Sequence, residues 1–306
     1  MIRIRVPATS ANLGAGFDSL GLAVNLYNVI DMEEYDGVSI CSTDGTWVPT
    51  TKENLIYQSA ERLFLECGKP FSGLRIVQQN NIPMTRGLGS SSACIVGGLV
   101  GANTLLGNPL SLDDLVNLAS DIEGHPDNTT PALLGGIVTA VLEGKRVYWV
   151  KQAVHNALRL VAVIPDFKLS TELARKALPE QVSHLDARYN LSRAALFSAS
   201  LLQGKYENIR IAVEDKLHQP YRMKLIDHAD EVFSQAYAQN AYGVYISGAG
   251  PTLMAIVDGA DDRFAPQLRE YLGTLSLDGW KIEELVIDND GTTVHNVEGT
   301  DNREVL

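Results

Sequence analysis

Pro83-Met84-Thr85-Arg86-Gly87-Leu88-Gly89-Ser90-Ser91-Ser92-Ala93 joins a run that reads as a strand, 74–78, to a run that reads as a helix, 91–106. Small residues at such a junction let a ligand approach the backbone, and successive N–H groups can then face one anion. A helix N-terminus adds roughly half a positive charge at the same place. The stretch therefore reads as a phosphate cradle. The helix that follows it is apolar nearly all round (Ala93, Ile95, Val96, Leu99, Val100, Leu105, Leu106), so it belongs at the centre of a core.

The cradle is not a P-loop, because no lysine follows its glycines. It is not a dinucleotide fingerprint either, since the third glycine of that spacing is missing. A glycine-rich turn ending in a serine cap is the ordinary alternative. The length of the specific run favours the cradle.

Composition bounds the rest. The chain has 306 residues, 45% hydrophobic and 20% charged, with a net charge of −12. That suits one large or two smaller globular domains. No basic run is present, so a nucleic-acid partner is not expected. The three cysteines, Cys41, Cys67 and Cys94, form no Cys-x-x-Cys pair and read as reduced thiols of a cytoplasmic protein. Met1 to Pro7 alternates apolar and basic like a strand, unlike a signal peptide. No apolar run is long enough to span a membrane.

Working outward, the pattern predicts a strand over 2–6, a small-residue loop over 8–16, an extended run over 20–30 and a helix over 53–67. After the cradle helix comes a second helix from Ser111 to about Ile122, then a hairpin around Glu143-Gly144-Lys145-Arg146. The second half reads as a strand over 158–164, a short helix capped by Ser170, and helices near 188–202, 206–216, 224–239 and 263–272. Strands over 243–246, 252–257 and 281–287 accompany them. The tail from Asp288 onward reads as polar and uninformative. Mixed helices and hairpin-like strands indicate an α+β fold in two parts, divided as 1–155 and 156–306.

Phosphoryl transfer needs a cation beside the phosphates and an acceptor oxygen held in line. A cradle serine and a nearby carboxylate would hold magnesium, and Glu123 is the best-placed carboxylate. It opens Glu123-Gly124-His125-Pro126-Asp127-Asn128, which reads as a loop of site character or as an exposed helix end. Asn12 and Asp18, in the first small-residue loop, could together bind an ammonium and a hydroxyl. Arg175 lies one helical turn after Thr171, and Arg222 stands near a helix start; each could pair with a carboxylate, though a lone arginine is ordinarily a surface residue.

These residues resemble the GHMP kinases. The 83–93 stretch is similar to that superfamily's Pro-x3-Gly-Leu-Gly-Ser-Ser motif. Pro7-Ala8-Thr9-Ser10-Ala11-Asn12-Leu13-Gly14, followed by Gly16-Phe17-Asp18, looks like its homoserine kinase branch. Glu123 to Asn128 and Ser247-Gly248-Ala249-Gly250-Pro251-Thr252 agree, so the resemblance spans nearly the whole chain. It implies an N-terminal domain like ribosomal protein S5 domain 2 and a ferredoxin-like C-terminal domain. The implied reaction transfers phosphate from ATP to the hydroxyl of L-homoserine, on the route to threonine.

The resemblance further implies roles. Pro83, Met84, Thr85, Arg86, Gly87, Leu88, Gly89, Ser90, Ser91 and Ser92 would hold the ATP phosphates, with Asn54 beside the adenine. Ser91 and Glu123 would ligate Mg2+. Asn12 and Asp18 would take the substrate's amino and hydroxyl groups, and Arg175 and Arg222 its carboxylate, with Thr171 and His125 close by. Gly248 would close the site from the second half. Asp127 is the candidate base by analogy with relatives that use an aspartate, while the crowding of His125, Asp127 and Asn128 in one loop points to their orienting acceptor and γ-phosphate with none an essential base. Departures from the family pattern are Ala15, Thr129-Thr130, Met84 and Thr85. A mevalonate-type or cytidyl-methylerythritol-type kinase, and a non-catalytic nucleotide-binding regulator, are the alternatives. An assembly of two copies is left open.

Overall fold

The computed structural model describes residues 1–154 and 157–297. The expected α+β architecture in two parts is present, built on two sheets. The first contains β1 (Ile2–Ala11), β2 (Leu20–Glu34), β3 (Gly37–Ser42), β4 (Gly73–Asn80), β5 (Ile137–Glu143), β6 (Arg146–Gln152) and β11 (Thr293–Asn296). The second contains β7 (Leu158–Ile164), β8 (Gly243–Ile246), β9 (Leu253–Asp258) and β10 (Lys281–Leu285). The expected division at 155/156 falls on residues outside the described ones.

In the first sheet the order is β11-β1-β2-β4-β3, and β5, paired with β6, shares with β4 the second edge of the long β2. Among the described residues only β3 and β4 run parallel in this sheet. The β1–β2 register shifts at Pro7/Ala8; Pro7 has no N–H for the ladder, which is why a bulge sits there. The pairing then resumes, so the strand runs through Ala8 to Ala11. That corrects the first part of the loop expected over 8–16, which begins only at Asn12: small buried residues resemble a loop by composition, but pairing with Gly21 to Val24 makes Ala8 to Ala11 strand.

The helices are α1 (Leu55–Glu66), α2 (Ser90–Leu105), α3 (Leu112–Glu123), α4 (Pro126–Leu134), α5 (Thr171–Lys176), α6 (His184–Gln203), α7 (Ile209–Ala212), α8 (Gln219–Arg222), α9 (Ala229–Ala238) and α10 (Phe264–Thr274). α2 is buried along most of its length, as its all-round apolar character requires. Helices expected over 206–216 and 224–239 are shorter than predicted, and single 3-10 turns precede α7 and α9.

Strand β7 shows how the halves share a core. Leu158, Leu160, Ala162 and Ile164 pack into the large cluster that includes β1, β2 and α2, while Val161 and Val163 join the cluster with α9 and α10. The two-residue side-chain period of a strand sends alternate residues to opposite faces. The second sheet is therefore buried on both faces, and one face is continuous with the first half.

Three further differences bear on the site. β3 was not expected, because its Gly37-Val38-Ser39-Ile40 run is short and half-buried. The tail is not featureless: β11 returns to pair with β1, and the Asp288 carboxylate accepts from the Asp290 and Gly291 amides. The stretch after Gly124 is not a loop. Pro126 occupies a first-turn position of α4, where its missing N–H costs nothing, so Asp127 and Asn128 belong to a helix whose residues are all buried.

Candidate active site

A cleft lies where the halves meet. The cradle supplies Thr85, Arg86, Gly87, Gly89, Ser90, Ser91 and Ser92; the α3–α4 junction supplies Glu123, His125, Asp127 and Asn128. Asn12 and Asp18 from the β1–β2 connection, Thr171 and Arg175 from α5, Arg222 from α8, and Gly248 reach the same space. Four expected residues do not line it. Leu88 is a fully buried core side chain. Pro83 and Met84 lie just before the lining, and Asn54 caps α1.

The helix cap on the cradle is Gly89, in the left-handed region at φ 70°, with no side-chain cap bond. The serine cap of the ordinary turn is thus absent, and the first amides of α2 are not taken up by a capping side chain. A Cβ on Gly89 would stand 1.9 Å from Thr9 Oγ1. That hydroxyl donates to Asn128 Oδ1 at 2.8 Å, so only glycine lets cradle, β1 and α4 meet here. Thr9, which the sequence reading did not single out, is buried beneath the cleft.

The second half clamps the cradle. Ser247 Oγ donates to the Gly87 carbonyl at 2.6 Å, the Thr252 amide to the Arg86 carbonyl at 3.2 Å, and the Leu169 amide to the Thr85 carbonyl at 3.3 Å. The Arg86 guanidinium is turned away from the phosphates' expected place: it donates to the Pro165 and Asp166 carbonyls at 2.9 and 2.8 Å. Burial lowers its pKa, and the charge of Asp166 works against that fall.

Ser91 Oγ and Ser92 Oγ both donate to Glu123 Oε1, at 2.7 and 3.0 Å. Two hydroxyls and a carboxylate at a helix N-terminus form an all-oxygen donor set, the kind a hard divalent cation accepts. A second cluster, Asp18, His125 and Asp127, brings donor atoms within 4.8 Å of one another. Its members already have partners. His125 Nδ1 meets Asp127 Oδ1 at 2.6 Å, and Arg175 clasps both oxygens of Asp18 at 3.1 and 3.2 Å. Burial pulls the His125 pKa down, but the hydrogen bond and charge of Asp127, with the charges of Glu123 and Asp18, outweigh it and leave the net shift upward. The Ser91–Glu123 set is all oxygen, whereas His125 and Asp18 are held by Asp127 and Arg175, so the former is the better seat for a hard cation.

Asn12 is buried and its amide is engaged: Nδ2 donates to the Gly248 carbonyl at 2.8 Å, and Oδ1 accepts from the Asp18 amide at 3.0 Å. It ties the turn of the second half to the loop that carries Asp18. Arg222 is only 2% exposed. Burial, then repulsion from Arg175, lowers its pKa to about 10, so it stays cationic at neutral pH. It donates to the Gly248 carbonyl at 2.9 Å.

A groove runs beside β3 along the loop from Gly45 to Glu53, with Trp47 79% exposed on it. Asn54 holds the end of that loop, since its Nδ2 donates to the Pro49 carbonyl at 2.9 Å and its Oδ1 accepts from the Ile56 and Tyr57 amides. Among the described residues no helix is long and apolar enough to cross a membrane.

Comparison with known proteins agrees with this arrangement. Residues 54–136 match the model of the GHMP kinases N terminal domain, and residues 197–273 that of the GHMP kinases C terminal domain. The homoserine kinase of Clostridium beijerinckii is 47% identical over 98% of this chain and 100% of its own length. That of Caldicellulosiruptor bescii is 45% identical over 98% of this chain and 99% of its own. The crystal structure of homoserine kinase from Cytophaga hutchinsonii superposes with a TM-score of 0.86 at 28% identity, covering 96% of this chain and 97% of that one. Mevalonate kinase of L. major, 13% identical over 93% of this chain and 95% of that one, shares the fold at a TM-score of 0.71. The chain belongs to the GHMP kinases and, within them, to the homoserine kinase family.

Proposed function

We propose that this protein phosphorylates the side-chain hydroxyl of L-homoserine with ATP, giving O-phospho-L-homoserine and ADP on the route to threonine. The observation that carries the reading is a single cleft in which an uncapped helix N-terminus faces the charge set Asp18, Arg175 and Arg222. The first suits a polyphosphate, the second a zwitterion.

In this reading the amides of residues 87–92 receive the ATP phosphates, and the base lies in the groove along the Gly45–Glu53 loop that Asn54 holds in place. Ser91 and Glu123 would hold Mg2+, which would supply neutralising charge to the phosphates. Asp18 takes the substrate ammonium, and Arg175 and Arg222 its carboxylate, so the Asp18–Arg175 pair seen here opens as each half finds its partner on the substrate. His125, Asp127 and Asn128 then orient the hydroxyl toward the γ-phosphorus. The hydroxyl oxygen forms the new P–O bond, the bond to the β-phosphate oxygen breaks, and the hydroxyl proton leaves to solvent or product phosphate. Positioning and charge carry the rate, with no essential base.

A coupled ADP-release assay tests the reading, with homoserine or mevalonate as acceptor, with and without magnesium. Magnesium-dependent turnover of homoserine is expected. Turnover of mevalonate with none of homoserine would overturn it. Mevalonate has a carboxylate and a hydroxyl but no ammonium to take up Asp18.

A further inference from the structure

His218 lies outside the cleft, fully buried behind Arg222. Its ring bridges two parts of the site. Nε2 lies 2.8 Å from the Gly14 carbonyl, and Nδ1 lies 3.3 Å from Arg222 NH1. A carbonyl can only accept, so Nε2 carries the proton and Nδ1 is left as the acceptor for the guanidinium. The ring is thus neutral and fixed in one tautomer by its partners. Burial, the largest influence, pushes its pKa down, Asp215 pulls it up and Arg222 pushes it down again. A proton on Nδ1 would face Arg222 directly.

The surroundings hold the ring itself. The Asp215 carboxylate accepts from the amides of Leu217, His218 and Gln219 and from Asn190 Nδ2, which locks the start of α8. Asn190 also donates to the Ala15 carbonyl at 3.2 Å, beside the Gly14 contact. Phe17 stacks on the His218 ring with centroids 5.1 Å apart and planes at 23°, and the Arg222 guanidinium carbon lies over the Phe17 ring, 5.2 Å from its centroid. Gly14, Ala15 and Phe17 are the residues that lead into Asp18.

We propose that His218 is a positioning residue, whose neutral ring ties the Arg222 guanidinium to the Gly14 carbonyl and so sets the spacing between the arginine offered to the substrate carboxylate and the loop offering Asp18 to its ammonium. The proposal rests on the reading of the cleft given above. It names what fixes the distance between the two charged ends of the amino-acid site, and it predicts that His218 affects the amino-acid substrate and leaves the nucleotide alone.

The test compares variants at one position. His218→Leu lowers kcat/KM for homoserine by about tenfold or more, the size of one charge-assisted contact, through KM rather than kcat. The KM for ATP stays within about twofold. His218→Asn, whose Oδ1 falls near the Nδ1 position and can accept from Arg222 but whose amide does not reach Gly14, recovers only part of the loss. In an Arg222→Lys background, adding His218→Leu changes kcat/KM by no more than about twofold, as expected for groups acting as one unit. If His218→Leu does not fold, His218→Gln takes its place, because its amide reaches Gly14 but leaves no acceptor near Arg222. Wild-type kcat/KM for homoserine in the Leu or Gln variant overturns the proposal. So does a parallel rise of both KM values that Asn fails to correct, or full additivity with Arg222→Lys. Failure of the underlying reading looks different: the wild-type enzyme does not turn over homoserine, or Arg222→Lys alone leaves its KM unchanged.

Discussion

Gly87→Ala separates the intrinsic cost of a left-handed residue from the cost of the clamp on the cradle. Gly87 sits at φ 77°, and an added Cβ would stand 2.3 Å from the Ser247 carbonyl oxygen and 2.9 Å from that of Gly250. Both obstacles are backbone, so the cradle must move away from the second half. Alanine in this region costs about 1 kcal/mol by itself. The displacement also strains the Ser247 Oγ bond to the Gly87 carbonyl and the Thr252 amide bond to the Arg86 carbonyl, each worth about 1 kcal/mol. The sum is about 3 kcal/mol. Gly144 is the matched control: it has φ 62° in the β5–β6 turn, and a Cβ added there would meet nothing within 4 Å. Gly144→Ala should therefore cost only about 1 kcal/mol. At about 2 °C per kcal/mol for a chain of this size, calorimetric midpoints should fall by about 6 °C and about 2 °C respectively. Titration calorimetry should show ATP binding weakened in Gly87→Ala and unchanged in Gly144→Ala. Equal midpoints for the two variants would refute the clamp.

Arg175→Ala should raise the homoserine KM by about tenfold, the low end for a charge-assisted pair because the side chain is 41% exposed, with the KM for ATP unaffected. An unchanged homoserine KM in steady-state assays removes Arg175 from the substrate site. Asp127→Asn should retain substrate binding and lose no more than about 100-fold in turnover if no dedicated base exists; a loss of many orders of magnitude rejects that. The raised His125 pKa implies stability that is complete below the ordinary histidine value of about 6.5 and is lost as pH rises through the higher native value. Melting midpoints from about pH 6 upward should fall more steeply for the wild type than for His125→Gln, and parallel curves would contradict the assignment.

Several elements were legible because their signals are local. α2 follows from its all-round apolar character, the β5–β6 hairpin from Glu143-Gly144-Lys145-Arg146, and α3 from Ser111 and Asp114, which close a capping box. α4 was not legible, because Pro126 and the polar Asp127-Asn128 pair resemble a loop until burial makes them the first turn of a helix. Ala8 to Ala11 carry no strand signal of their own, and only pairing with β2 decides them. β11 was hidden for the same reason, since Thr293 to Asn296 are polar apart from Val294 and gain a partner only when the tail returns to β1.

The sequence by itself determined the cradle, the carboxylate Glu123 and the family's set of charged residues, because motif residues at short spacing act through the chain they share. It could not show which of those groups are spent on one another. Asn12 tied to Gly248, Arg86 to Pro165 and Asp166, Arg175 to Asp18, and His218 to the Gly14 carbonyl are contacts between residues far apart in the chain, which no motif spacing encodes. Such pairings depend on how the two sheets share one core, and a buried polar group takes whichever partner that packing brings within reach. Only the tertiary structure decided that the cradle is held by the second half, and that Arg222 is aimed by a histidine outside the cleft.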